Sequence, residues 1–108
     1  MAELHISSQT CDGVPTVTLQ GEFDSYSAPR VRILLETLTA GANPCIRIQL
    51  AGLEYIDSTG LGVLVAALKQ VTNRSGRLEL IEPTPPVLRI LQITGLDKIF
   101  SISAEPSA

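Results

Sequence analysis

The sequence predicts a single α/β domain with a mixed four- to five-stranded sheet and helices packed mainly on one face. Its 108 residues are the size of one domain. Hydrophobic residues make up 44% of the chain, enough to build a core, and 18% charged residues is too few for a disordered chain. Short alternating segments are interleaved with segments of helical periodicity, the pattern of helical crossovers between parallel strands.

An N-terminal hairpin is predicted from two segments that alternate apolar and polar residues. They span about 3–9 and 14–20, and Asp12-Gly13 between them is a strong turn signal. Pro15, near the start of the second segment, indicates an edge of the sheet. The hairpin is antiparallel, so a sheet that contains it is mixed.

The rest of the chain alternates between helix and strand. The predicted elements are a helix from 27 that Ser27 caps and that ends before Gly41, a strand over 45–50, a loop over 51–57, a helix over about 59–72, a strand over 77–81, a helix from about 86 to Gly95, and an optional short strand over 99–102. Strands separated by helices are expected to be parallel neighbours joined by right-handed crossovers. Residues 1–108 are predicted to form one domain, with an ordered core of about 3–102.

Charge and hydropathy exclude two kinds of partner. The formal net charge is −3, with 8 Lys and Arg against 11 Asp and Glu, which supplies no concentrated basic surface for nucleic acid. The N-terminus lacks the pattern of a secretory signal. The apolar stretch from Leu61 to Leu68 is far shorter than the ~18–20 residues of a membrane span. We therefore expect a cytoplasmic protein without membrane insertion or direct nucleic-acid binding.

The cysteines indicate neither a metal site nor a disulfide. Cys11 and Cys45 lack metal-ligand spacing, and His5 is the single histidine. We expect two buried free thiols in a reducing compartment, and no metal or other cofactor.

The candidate functional site is the transition from strand to helix at Asp57, Ser58 and Thr59. Ligands of parallel sheets bind at the carboxyl ends of the strands, and a helix N-terminus favours an anionic group. The alternative is that Asp-Ser-Thr is ordinary helix-capping chemistry. Both interpretations fit these three residues taken alone.

The residues that follow favour a binding role. Gly60 and Gly62 lie in the first turn of the helix, where each costs about 1 kcal/mol relative to Ala, which indicates close approach to the backbone. Residues 61–68 are apolar almost all round, whereas a helix on one side of a small sheet needs a single apolar stripe. The surplus predicts either deep burial or a docking surface for another protein.

Catalytic motifs are incomplete. A nucleophile elbow around Ser58 would require Gly where Ile56 stands, and His5 in the first strand is poorly placed for a Ser-His-Asp triad. A dinucleotide-binding pattern starting at Gly60 would require Gly where Val65 stands. Asp57 lacks the acidic pair expected beside a phosphoacceptor aspartate. The sequence therefore predicts a binding protein rather than an enzyme.

The segment 48–64, which contains Asp57-Ser58-Thr59-Gly60-Leu61-Gly62, resembles the signature of STAS domains, specifically of the bacterial anti-sigma factor antagonists. Residues 19–24 resemble the Gly-Glu-Leu-Asp segment of that family, with Phe23 in place of the commoner Leu, a change expected to affect only packing. Residues 27–29 and 95–100 resemble the start of its first helix and its closing segment. The resemblance therefore covers nearly the whole chain.

The resemblance implies partner switching in transcription regulation and signal transduction. The unphosphorylated antagonist of such a system binds an anti-sigma factor serine kinase with a histidine-kinase-like ATPase fold, which releases a sigma factor. The kinase phosphorylates the first hydroxyl residue after the motif aspartate, here Ser58, and this turns binding off. A metal-dependent serine phosphatase reverses the modification.

The resemblance also implies which residues form the site. Ser58 is the phosphorylation site, and a modification at Thr59 stays open because many members have Ser there. The partner-binding residues are Asp24, Asp57, Ser58, Thr59, Gly60, Leu61 and Gly62. Ser58 is expected to cap or to precede its helix.

A second function stays open from the same resemblance. STAS domains also act as scaffolds or regulatory subunits in stress-signalling complexes or beside transporters. Ser58 need not be phosphorylated by a sigma regulator in such a complex.

Overall fold

Strands and helices alternate along the chain after an opening pair of strands. In the computed structural model, which describes residues 3–104, the elements are β1 (Leu4–Cys11), β2 (Val14–Phe23), α1 (Ala28–Leu38), β3 (Cys45–Ile56), α2 (Ser58–Asn73), β4 (Arg77–Ile81), α3 (Pro85–Ile93), a 3-10 turn (Leu96–Lys98) and β5 (Ser101–Ser103). Pro29 and Pro85 lie in the first turns of α1 and α3, where a missing N–H is tolerated.

The strands described within residues 3–104 form one five-stranded sheet in the order β1-β2-β3-β4-β5. β1 is antiparallel to β2, and each later strand is parallel to the one before it. Each crossover moves one position in the same direction, and right-handed connections then put all three helices on the same face. The predicted fold class, a mixed sheet with helices on one face, is confirmed.

The core lies between this face of the sheet and the helices. Alternation along the strands gives each strand one apolar face, and the polar residues Thr18, Arg47 and Glu79 point to the face that the helices leave uncovered. The fully buried core side chains include Val17, Leu19 and Phe23 of β2, Ile48, Leu50 and Leu53 of β3, Leu64 and Val71 of α2, and Val87 and Leu91 of α3.

The predicted loop over 51–57 is wrong, because β3 continues to Ile56. β2 likewise runs to Phe23 and pairs with this extension up to the partners Phe23 and Ile56. Two register shifts interrupt the pairing, so the buried residues Leu50, Leu53 and Ile56 are three residues apart instead of two. A strand that contains bulges loses its period of two, which is why this segment did not resemble a strand in the sequence.

The hairpin lies at one edge of the sheet, as expected, with β1 as the outermost strand. Pro15 itself is on β2, the inner strand of the hairpin, and is tolerated there because the pairing of β2 with β3 begins only at Thr16.

The expectation of two buried thiols is wrong. Cys11 and Cys45 are free thiols, but both are exposed rather than buried. They lie at the ends of strands, and the helix-facing neighbour of Cys45 is the buried Ile46.

Among residues 3–104, no helix combines the length and the hydropathy needed to cross a bilayer.

We expect Phe23→Ala to lower the free energy of unfolding by about 3–5 kcal/mol, because it empties a fully buried site under α2. Phe23→Leu, which keeps most of the volume, should cost less than about 1.5 kcal/mol. The control is Ile33→Ala on α1, where the side chain is 60% exposed and the change should stay within about 0.5 kcal/mol. Urea titrations followed by far-UV circular dichroism measure all three. Equal losses for Phe23→Ala and Ile33→Ala would contradict this description of the core.

Candidate functional site

The site lies where the carboxyl ends of β2 and β3 meet at one edge of the sheet. Phe23 and Ile56 are paired, so Asp24 and Asp57, the next residues of the two chains, follow adjacent parallel strands. The amide of Asp57 donates a hydrogen bond to the carbonyl of Phe23 at 3.1 Å, which extends the pairing by one step. α2 begins immediately afterwards, at Ser58. This edge is where α/β sheets bind their ligands.

Asp57 caps α2 and also holds the loop that follows β2. One carboxylate oxygen, Oδ1, accepts a hydrogen bond from the Gly60 amide at 2.9 Å, the usual N-cap arrangement. The other oxygen, Oδ2, accepts one from the Ser25 amide at 3.0 Å. The capping residue is therefore Asp57, and Ser58 is the first residue of the helix. A substitution at Ser58 does not remove the cap.

The loop after β2 is closed by the side chains of Asp24 and Ser27. Asp24 Oδ1 accepts hydrogen bonds from the amides of Tyr26, at 3.0 Å, and Ser27, at 3.1 Å, forming an Asx turn. The buried Ser27 hydroxyl in turn accepts a hydrogen bond from the Asp24 amide at 3.1 Å. Side chains on both sides of the loop thus fix its backbone.

Ser27 occupies the N-cap position of α1, as predicted, but its hydroxyl does not cap the helix. The second helical residue is Pro29, which has no N–H to offer, and the Arg30 amide already donates to the Ser27 carbonyl at 3.1 Å. The hydroxyl bonds back into the loop instead. Sequence analysis missed the loop residues Ser25 and Tyr26, and the signal that could have found them is Asp24 followed closely by Ser, a pattern typical of Asx turns.

Ser58 and Thr59 are exposed at the start of α2. Among the described residues, neither hydroxyl has a hydrogen-bond partner, so both can react without breaking an internal bond. Gly62 is exposed one turn further on. Gly60 and Leu61 are buried, Leu61 being 9% exposed, so these two residues contribute to packing and to the shape of the helix.

The two glycines near the start of α2 differ in their surroundings. A Cβ on Gly60 would lie 2.9 Å from both the Phe23 carbonyl oxygen and the Ile56 side chain, so the backbone that approaches closely there is the end of β2 in the same chain. A Cβ on Gly62 would have nothing within 4 Å. Gly60 is thus explained by the fold, whereas nothing in the described chain explains Gly62.

The apolar surplus of α2 is mostly explained by deep burial. The helix packs against the sheet and also against α1, so it needs more than one apolar stripe. Leu61, Val63, Leu64, Ala67 and Val71 are buried, and Val65 and Leu68 are half-buried. Within the apolar segment 61–68, the exposed positions are the small residues Gly62 and Ala66.

Comparison with known proteins identifies the family. Residues 5–107 match the family model of the STAS domain, so the chain belongs to the STAS-domain family. The anti-sigma-B factor antagonist of Bacillus subtilis strain 168 is 43% identical over 90 residues, which cover 82% of this chain and 81% of that protein. The resemblance found in the sequence is therefore confirmed, and relatives of this chain are anti-sigma factor antagonists.

Solved structures agree with this assignment. An anti-sigma factor antagonist from Mycobacterium paratuberculosis has a TM-score of 0.84 at 27% identity, over 94% of this chain and 86% of that one. The Bacillus cell fate determinant SpoIIAA in its phosphorylated form has a TM-score of 0.72 at 20% identity, over 95% of this chain and 93% of that one. At that identity SpoIIAA shares the fold alone.

We expect Gly60→Ala and Gly62→Ala to change stability in opposite directions. The Cβ at position 60 would collide with the Phe23 carbonyl, and the forced shift should cost about 1–3 kcal/mol. The Cβ at position 62 meets open space, and the higher helix propensity of Ala should add up to about 1 kcal/mol. Thermal melts of the two variants beside wild type measure this. A change of the same sign in both variants would show that the two glycines do not differ as described.

Proposed function

We propose that this protein is an anti-sigma factor antagonist that works by partner switching. Its unphosphorylated form binds an anti-sigma factor serine kinase with a histidine-kinase-like ATPase fold, which releases a sigma factor, and phosphorylation at Ser58 turns this binding off. The observation that carries the proposal is an exposed hydroxyl at the first residue of α2, in a chain 43% identical to a protein named anti-sigma-B factor antagonist. The protein acts in the cytoplasm, without nucleic acid, membrane insertion or a cofactor of its own.

The proposed chemistry takes place in the partner's active site. The Ser58 Oγ forms a bond to the γ-phosphorus of ATP, the bond from that phosphorus to the ADP oxygen breaks, and the hydroxyl proton passes to a base of the kinase. A metal-dependent phosphatase hydrolyses the phosphate and regenerates the hydroxyl. The chain supplies a substrate side chain and a docking surface, and it is not itself an enzyme. Thr59, exposed beside Ser58, is the candidate for a minor second acceptor.

The switch follows from electrostatics at the interface. A phosphate adds about −1.5 to −2 charges beside the carboxylate of Asp57 and near the loop that carries Asp24. Docking would remove this charge from water without supplying a matched cation, which is costly. A penalty of about 2.8 kcal/mol would weaken binding about a hundredfold. The fold itself need not change.

The surface proposed to contact the kinase combines α2 and the loop after β2. Asp24, Ser58, Thr59 and Gly62 are at least partly exposed there. Asp57, Gly60 and Leu61 act from beneath by fixing the start of the helix.

We expect Ser58→Ala to bind the kinase as tightly as wild type, within about threefold, and to accept no phosphate at this position, because it removes only an exposed hydroxyl. Ser58→Asp should bind about tenfold more weakly, since it adds one charge, less than a phosphate does. Isothermal titration calorimetry against each purified histidine-kinase-like anti-sigma factor of the same organism measures affinity. Mass spectrometry after incubation with ATP and Mg²⁺ locates the phosphate.

Melting curves of both Ser58 variants are the control. Neither variant removes the cap, so both should melt close to wild type. If a folded Ser58→Asp and the Ser58-phosphorylated protein both bind as tightly as wild type, the proposed switch is excluded.

We expect Gly62→Ala to bind the kinase at least about tenfold more weakly although its fold is more stable. An exposed glycine that destabilises a helix is consistent with a partner that packs directly on the backbone, and a methyl group there would hold the partner away. Ala66→Gly is the matched control, because it alters an exposed small residue one turn further along α2 without adding atoms. Unchanged affinity in Gly62→Ala would exclude close approach at this position.

A further inference from the structure

Tyr26 presents an aromatic side chain that the fold does not use. It is 75% exposed, although its backbone is held by the hydrogen bond from its amide to Asp24 Oδ1. A rigid loop that carries an exposed aromatic ring loses little conformational freedom when the ring is buried by a partner. Tyrosine is also among the residues most often found at the energetic centre of protein interfaces.

The loop that carries Tyr26 is connected directly to the start of α2. The Ser25 amide donates a hydrogen bond to Asp57 Oδ2 at 3.0 Å. Tyr26 follows Ser25 in the chain and Ser58 follows Asp57, so this hydrogen bond brings the backbones of Tyr26 and Ser58 close together. Two residues placed so close together fall within one interface footprint of about 800 Å² per partner. The Tyr26 side chain lines a groove with Leu4, Glu22 and Arg30, on the side of the loop next to β1. A protein that covers both Ser58 and this groove therefore contacts Tyr26.

The other exposed large apolar residues described in the chain are placed differently. They are Ile33, Tyr55, Ile93 and Ile99. Tyr55 is near Asp57 in sequence, but it alternates with the buried Ile56 and so points to the face of the sheet opposite α2. Ile93 and Ile99 belong to the end of α3 and the turn after it. Tyr26 differs from these four residues because it is adjacent to the hydrogen bond between Ser25 and Asp57 that joins the loop to α2.

We propose that Tyr26 is a principal docking residue for the anti-sigma factor, and that Asp57 is a positioning residue that holds the Tyr26 loop against α2. This inference rests on the proposed function, because it names a specificity-determining contact of the same interface. Asp57 acts with one carboxylate oxygen on the helix and the other on the loop, so it sets the distance between the aromatic ring and the phosphorylatable hydroxyl.

Asp57→Asn separates the two functions of Asp57. The amide oxygen can still accept the Gly60 N–H, and Asn is as good an N-cap as Asp, so the helix start should be preserved. The amide nitrogen is a donor and cannot accept the Ser25 N–H. The variant therefore releases the loop while it keeps the cap. The chemical shift of the Ser25 amide in a ¹⁵N–¹H spectrum and the hydrogen-exchange rate of that amide report the release.

The test is a double-mutant cycle. Isothermal titration calorimetry measures the binding of each variant to the same purified histidine-kinase-like anti-sigma factors that are used to test the proposed function. We expect Tyr26→Ala to weaken binding about 30-fold or more, as loss of a hot-spot residue does. Tyr26→Phe, which keeps the ring, should lose less than about fivefold. Asp57→Asn should weaken binding about fivefold to tenfold in wild type and less than about twofold in the Tyr26→Ala background, because coupled residues are not additive. Ile93→Ala, which truncates a side chain that is 77% exposed on α3, is the matched control and should bind as wild type.

The outcomes distinguish this inference from the proposed function. If wild type binds none of the kinases, the proposed function fails, and the docking role of Tyr26 fails with it. If wild type binds and a folded Tyr26→Ala binds equally well, the docking role is overturned while the proposed function stands. If the effects of Tyr26→Ala and Asp57→Asn simply add, or if the Ser25 amide is unchanged in Asp57→Asn, the positioning role of Asp57 is overturned.

Discussion

The parallel pairing between the last residues of β2 and β3 is the constraint on which the site depends. Phe23 and Ile56 are partners in this pairing, and both are buried beneath the start of α2. The pairing brings the residues that follow, Asp24 and Asp57, to one edge of the sheet. It also requires Gly60, because a side chain there would collide with the Phe23 carbonyl. Two bulges let the ladder reach this point while Leu53 and Ile56 stay on the buried face.

Hydrogen bonds to backbone amides then make the edge of the sheet rigid. The carboxylates of Asp24 and Asp57 together accept four of them, from Tyr26, Ser27, Ser25 and Gly60. Hydrogen bonds to charged acceptors are stronger than those between neutral groups, so the loop and the helix start are held in one arrangement before any partner binds. Such a preorganised surface loses little entropy on binding. It also suits the proposed switch, because a phosphate on Ser58 would add charge next to Asp57, whose carboxylate is already held by two amides.

Gly60 and Gly62 are similar in the sequence but have different surroundings in the structure, which indicates packing as the reason for the first glycine and binding as the reason for the second. Both glycines lower the helix propensity near the start of α2, and nothing in the local sequence distinguishes them. Packing accounts for Gly60 through contacts within the chain, while the space around Gly62 is open. At position 62 the chain keeps a glycine although an alanine would stabilise the helix without strain. Such a position is a candidate for a functional constraint, since stability and function commonly oppose each other at binding surfaces.

The sequence by itself determined the fold class and indicated where the candidate site lies. Apolar periodicity and turn residues are local properties, so they identified the hairpin, the three helices and the start of α2 at Asp57, Ser58 and Thr59. The motif from Asp57 to Gly62 was sufficient to indicate the family, which residues 5–107 match.

The folded structure decided the rest. The strand over 51–56 was hidden because bulges remove the alternation on which strand prediction depends. Competition between hydrogen-bond partners decided that Asp57 caps α2 and that the Ser27 hydroxyl bonds to the loop instead of capping α1. The exposure of Cys11 and Cys45 follows from their positions at the ends of strands. The contact that joins the loop to the helix is the long-range one, because Ser25 and Asp57 are 32 residues apart in sequence and meet only when the sheet has formed.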